Sequence, residues 1–217
     1  MTAPVWVLRA ALVAAGLAAW YATQAWIARR AFPEGAIGDR VHEWTTPLNR
    51  VFWEHPSRAN ALLVATSAVI DLLGIFLVGS AIFGPTIRPF LGLALLFALR
   101  QACQGLCALP APERMIWRDP GFPSLLVTYG TTSDLFFSGH TAIAVYGGLE
   151  IARRGGAGVA TFAVAIVLVE AATVLVLRAH YTMDVFAGAI AALWVYGAAA
   201  ALAPTVDAWL TPLASAL

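Results

Sequence analysis

This chain contains no lysine: all thirteen of its basic residues are arginine. No mechanism that needs a lysine can therefore operate here. Charge of either sign is scarce, at 12% of 217 residues, where a soluble domain carries about 25%. Cysteine is nearly absent. Cys103 and Cys107 lie four apart in a predicted helix, sharing a face, but their Cβ vectors do not suit a disulfide, and both read as small packing residues. The formal net charge of +1 argues against a nucleic-acid partner. No glycine-rich nucleotide loop and no G-x-S-x-G elbow occurs. The histidines and acids of the first loop lack metal-ligand spacing, so no metal and no cofactor is expected, and His42 and His55 read as interfacial.

What the chain has instead is apolar length. Hydrophobic residues make up 60% of it, in recurring runs of about 20 residues, enough to cross about 30 Å of hydrocarbon. The fold expected is all-α, a single polytopic membrane domain over 1–217. Six spans are predicted, at about 5–28, 59–83, 88–109, 137–152, 157–178 and 181–203. The first run is too long for a signal peptide, lacks an A-x-A site and is flanked by Trp6 and Trp26, so it reads as a retained helix. Gly84-Pro85 and Arg153-Arg154-Gly155-Gly156 mark turns. An amphipathic interfacial helix is predicted within 39–54. With six spans both termini share one side, and the loops 29–58 and 110–136 and the turn before the sixth span share the other.

Two polar strings open helices on that second side: Ser138-Gly139-His140 and His180-Tyr181-Thr182-Met183-Asp184. A hairpin of two helices separates them, so the fold can bring the two histidines together. Placed one helical turn apart, Asp184 can orient the His180 imidazole and leave its other nitrogen nucleophilic. The plainer reading is a buried pair that only ties helices. A helix N-terminus at Ser138 and Gly139 favours a phosphate, with His140 in reach as acid and base. The plainer reading there is an ordinary cap. Arg100 and Arg178, near the same level, are candidate phosphate clamps or snorkelling side chains. Asp71 and Glu170 are acids within spans, expected to face the bundle interior and either pair with arginine, bind a polar head group or serve as structural carboxyls. Asp134, in the loop before the first motif, can orient a histidine, meet a choline-like cation or stay solvated.

FFSGHT followed by AHYTMD resembles the sphingomyelin synthase branch of the type-2 phosphatidic acid phosphatase superfamily, over about residues 60–200. Arg100 followed by Leu109-Pro110 is similar to that family's arginine-to-LP stretch, and the segment from Phe122-Pro123 to Ser138 is similar to plant phosphatidylcholine:diacylglycerol cholinephosphotransferases. The resemblance implies six membrane helices, His180 as nucleophile, Asp184 as its orienting partner and His140 as acid and base. The phosphatase members carry a lysine-led motif ending in Arg-Pro. Arg88-Pro89 matches that end, but Ala81 stands at the lysine position, and Val174 stands where those members have arginine. These departures point toward transferases. The activity implied is transfer of a phosphocholine-type head group from a phospholipid to diacylglycerol or ceramide. Alternatives are a lipid phosphatase or phospholipase C-like hydrolase using water, and a non-enzymatic transporter or scaffold. An oligomer is compatible with the sequence. Arginines near span ends are more numerous on the motif side, which the positive-inside rule assigns to the cytoplasm. The resemblance implies the opposite, a site facing the periplasm of a bacterial inner membrane, and that is the expectation adopted.

Overall fold

A computed structural model describes residues 5–27, 29, 35, 37–129 and 135–216 (backbone alone from 212). Among them are eight helices and no strand: α1 Val5–Ile27, α2 Arg40–Trp44, α3 Thr46–Glu54, α4 Pro56–Phe83, α5 Arg88–Leu106, α6 Gly139–Ala152, α7 Ala157–Val176 and α8 Thr182–Ala216. Five of these, α1, α4, α5, α7 and α8, are long and apolar enough to cross a membrane. The fourth expected span corresponds to α6, which has only 14 residues. At 1.5 Å per residue that is about 21 Å, short of the hydrocarbon thickness. It is also the most enclosed helix, packed against α4, α5, α7 and α8, and even its Glu150 is buried.

The sixth expected span is longer than its apolar run suggested. It continues as one helix to Ala216, through Pro204 and Asp207. Asp207 has partners that keep it there: it pairs with Arg9 at 2.9 Å and accepts from the Ile87 amide at 3.0 Å. At the same end of the bundle, Glu150 pairs with Arg88 at 3.1 Å and Arg153 at 3.2 Å. Arg88 also lies over the Tyr196 ring, 4.4 Å from its centroid. The Arg88-Pro89 dipeptide is thus a structural clamp at the far end of α5, about three helical turns from Arg100.

The interfacial helix expected within 39–54 is two helices, α2 and α3, broken at Thr45 with Pro47 following. One face is exposed, including Trp44 and Trp53, but His42 and Asn49 are buried. Asn49 donates to Val176 O at 2.9 Å. Phe52 of α3 packs against a small second core of Ala59, Leu63, Ile116 and Leu177. The main core runs through α1, α4, α5, α6 and α8. Asp71, on α4, accepts from Ser124 Oγ at 3.0 Å and from the Leu125 and Leu126 amides at 2.9 Å each. This carboxylate therefore organises the loop between α5 and α6.

Candidate active site

α7 ends one turn before the second motif, and its ending sets the motif's position. Arg178 takes a left-handed backbone, φ 54°. Its amide donates to Leu175 O at 3.1 Å and the Ala179 amide to Val174 O at 2.9 Å, the paired bonds of a Schellman turn. Glycine normally fills that position, and a residue with a Cβ costs about 1–2 kcal/mol there. The Arg178 guanidinium offsets the strain: it donates to Glu113 O at 3.0 Å, His42 O at 3.0 Å and Thr46 Oγ1 at 2.9 Å. Arg178 is therefore an internal strut between α2, α3 and the α5–α6 loop, and it does not line the cavity that holds the two histidines.

His180 precedes α8 rather than sitting on it, so the one-turn helical spacing expected for His180 and Asp184 is replaced by a capping turn. Asp184, fully buried, accepts from the Tyr181 amide at 2.8 Å, as the third helical residue does in a capping box. His180 Nδ1 lies 3.6 Å from Asp184 Oδ2, beyond hydrogen-bond range. Nδ1 of His180 and Oδ1 of Asp184 are both buried without a partner. Shortening that gap by about 0.4 Å would bring Nδ1 within hydrogen-bond range of the carboxylate. The Asp184 carbonyl in turn accepts from the Ser138 amide at 3.0 Å, which joins the two motifs through their backbones.

Ser138 is the N-cap of α6. Its Oγ accepts from the Thr141 amide at 3.3 Å and pairs with Thr141 Oγ1 at 3.1 Å, so its side chain is committed to the helix. Gly139 is where Arg100 approaches closely: a Cβ there would lie 3.2 Å from Arg100 Nε. Arg100 Nε donates to Phe137 O at 2.9 Å. Gly188 on α8 performs the same service for the cap, since a Cβ there would lie 2.7 Å from the Ser138 carbonyl oxygen. Gly188→Ala should push α8 off the α6 N-terminus, destabilising the fold by about 1–3 kcal/mol. A lowered midpoint in thermal unfolding of the detergent-solubilised protein checks this.

His140, His180, Arg100 and Gly139 line one small cavity of about 40 Å3. Its walls come from Trp20 of α1, Phe97 of α5, Trp117, Leu126, Val127 and Thr128 of the loop, and Ile143. The Trp117 ring meets His140 edge-on at 5.1 Å and lies 4.9 Å from Tyr129. His140 Nε2 is buried without a hydrogen-bond partner. The volume holds a few waters, not a phosphocholine group. The positive end of the α6 dipole faces this cavity. The N-terminus of α8 does not serve an anion in the same way, because two carboxylates of the protein already occupy it.

The second of these carboxylates is Asp39. One of its oxygens accepts from the Thr182 amide at 2.6 Å, and the other from Thr182 Oγ1 at 2.8 Å and from the Val41 amide at 2.9 Å. A single side chain thus caps α2 and α8 together. Partial burial pushes its carboxyl up, but the Thr182 hydrogen bonds together with the nearby His42 imidazole and the His42 amide outweigh that and hold it below its ordinary value. The stabilisation is complete above the unfolded carboxyl's pKa of about 3.9 and is lost as pH falls through the lower folded value. Asp39→Ala should expose the α8 start, at a cost of roughly 1–2 kcal/mol. Faster amide hydrogen exchange across 180–185 at neutral pH, matched in the native protein only under acid, is the expected outcome.

His42 is part of the same support. Its Nε2 donates to the His180 carbonyl at 2.9 Å, and its ring stacks on Tyr181 at 5.6 Å. Tyr181 donates to Pro110 O at 3.1 Å, and burial holds its phenol above the ordinary value, so it remains a donor. Reading His42 as interfacial missed this contact. The legible signal was Asp39, a good N-cap residue three positions before it. Of the other expected site residues, Asp71 is taken by the loop, and Glu170 lies on α7 facing a groove outside the cavity. Asp134 lies outside the described residues. Among the described residues no group of three or more histidine, cysteine or acidic side chains is placed to hold a metal.

The sequence model of a family described as AtPDCT1/2 matches residues 39–201. The match begins at Asp39, so it takes in the α2–α3 segment that the narrower resemblance over 60–200 left out. No curated protein and no solved structure matches the chain.

Proposed function

This chain belongs to the AtPDCT1/2 family, and on that premise we propose that it transfers a phosphocholine-type head group from phosphatidylcholine to diacylglycerol. The observation that carries the reading is the shared cavity: His140 and His180, from separate helices, line one buried space with Arg100. His180 attacks phosphorus through Nε2, the nitrogen turned away from Asp184. The P–O bond to the glycerol breaks, and His140 gives its proton to the departing diacylglycerol. The head group is then held on His180 as a phosphohistidine ester. A second diacylglycerol enters, His140 takes the proton of its hydroxyl, and the alkoxide attacks phosphorus and frees His180. Arg100 and the α6 N-terminus balance the phosphoryl charge. The loop bearing Val127 and Thr128 moves aside to admit the head group, since the resting cavity is too small for it.

A head group seated in the cavity would displace the few waters it holds, which favours a lipid acceptor over water. The broader assignment to the sphingomyelin synthase branch of the type-2 phosphatidic acid phosphatase superfamily is part of the same proposal, as is a site facing away from the cytoplasm. Purified protein in nanodiscs, given phosphatidylcholine labelled in its choline, should pass label to added diacylglycerol of a different chain length. Soluble phosphocholine released without any labelled lipid product would overturn the transfer reading in favour of hydrolysis. Ceramide in place of diacylglycerol reads acceptor choice in the same assay. A protease-cleavable tag on the C-terminus, cut only from the cytoplasmic side, is the expected result for orientation.

A further inference from the structure

Glu170 is the one described acid of the expected site that none of the interactions above uses. Its side chain is 1% exposed, and neither carboxyl oxygen has a hydrogen-bond partner among the described residues. It closes one end of an apolar groove of about 440 Å3 between α4 and α7, floored by Ile151 of α6. The walls are Val69, Leu72 and Phe76 on one side and Ala165 and Val169 on the other. Leu72 and Val169 are well exposed, so the groove opens laterally, where lipid would lie.

α7 ends at Val176, so Glu170 lies about 9 Å below the motif-side end of the helix at 1.5 Å per residue. A carboxyl at that depth needs a hydrogen-bonding partner, and the described residues supply none. A phospholipid cannot bring its polar glycerol region so deep without dragging a charged head group into hydrocarbon. A lipid with an uncharged head can. We propose that this groove binds one acyl chain of the diacylglycerol acceptor, and that the Glu170 carboxyl, enclosed at rest, turns into the groove to hydrogen-bond the lipid's ester or hydroxyl group. The identity of the lipid rests on the transfer reading above, but the groove does not depend on the roles given to the histidines.

The test uses the full chain in nanodiscs with diacylglycerol carrying a diazirine midway along one acyl chain, and phosphatidylcholine carrying the same chain as the comparison probe. Photolabel from the diacylglycerol should concentrate on 69–76 and 162–170, about 5-fold above the phosphatidylcholine probe. It should fall by a similar factor in Glu170→Leu, which removes the hydrogen bond. Ala165→Trp fills the groove from its exposed rim and should give the same loss, which keeps the test decisive if Glu170→Leu does not fold. Labelling spread evenly round the bundle, equal for the two probes, or unchanged in both variants overturns the proposal. Selective labelling without any head-group transfer would sustain the groove and defeat the transfer reading. Transfer with unselective labelling would do the reverse.

Discussion

Replacing His180 with alanine should lower head-group transfer by about 10^4-fold or more, because under the proposed mechanism it is the nucleophile that splits the reaction into two steps. The fold should survive. His180 holds its surroundings through its backbone carbonyl, which accepts from His42 Nε2 at 2.9 Å, and alanine keeps that carbonyl. Its side-chain Nδ1 has no partner to lose. Unfolding temperature should therefore change little while turnover collapses. His140→Ala should cost about 10^2–10^4-fold, the usual worth of a positioned acid or base. The double variant should be scarcely worse than His180→Ala, since in the proposed mechanism both act on one transition state. Acid-labile, choline-labelled protein trapped on mixing with the donor should be seen in the native chain and be absent from His180→Ala. Transfer surviving in His180→Ala would remove the covalent route altogether.

Asp184 separates two kinds of loss. Asp184→Asn keeps an oxygen for the Tyr181 amide, now bonded at 2.8 Å, but removes the charge beside His180. Stability should hold while transfer drops by about 10^3–10^4-fold, because an orienting carboxylate selects the tautomer and stabilises the imidazolium. Asp184→Ala removes the acceptor as well. The Tyr181 amide is then left unpaired in a buried turn, which should destabilise the fold by about 1–3 kcal/mol. Measuring unfolding and transfer on both variants distinguishes the roles. Equal activity in Asp184→Asn and the native chain would mean that the residue only caps α8.

The two histidine motifs were legible because each marks a local event, a polar residue that ends a loop and begins a helix. Ser138 caps α6 as expected, with Oγ at 3.3 Å from the Thr141 amide. Arg100 was found near the motifs because its position in an apolar run fixes its depth. Arg178 read as a second candidate clamp behind it, and its left-handed backbone at φ 54° had no sequence signal, since that position is ordinarily glycine. Asp39 was legible as an N-cap, but what it and His42 hold at the second motif was hidden by distance. Their partners, Thr182 and the His180 carbonyl, lie far along the chain, at separations of 143 and 138 residues.

Apolar run length, helix punctuation and the hairpin between the motifs were enough to establish an all-helical chain with its histidines at one end of the bundle, because those properties depend on neighbours within a few turns. Which charged groups face the cavity was decided only by packing. Asp71, Arg178 and Asp39 commit their hydrogen bonds to backbone far away in sequence, whereas Arg100 and His140 line the cavity. A buried ionic group takes whichever partner the assembled helices bring within about 3 Å, and no local pattern specifies that partner.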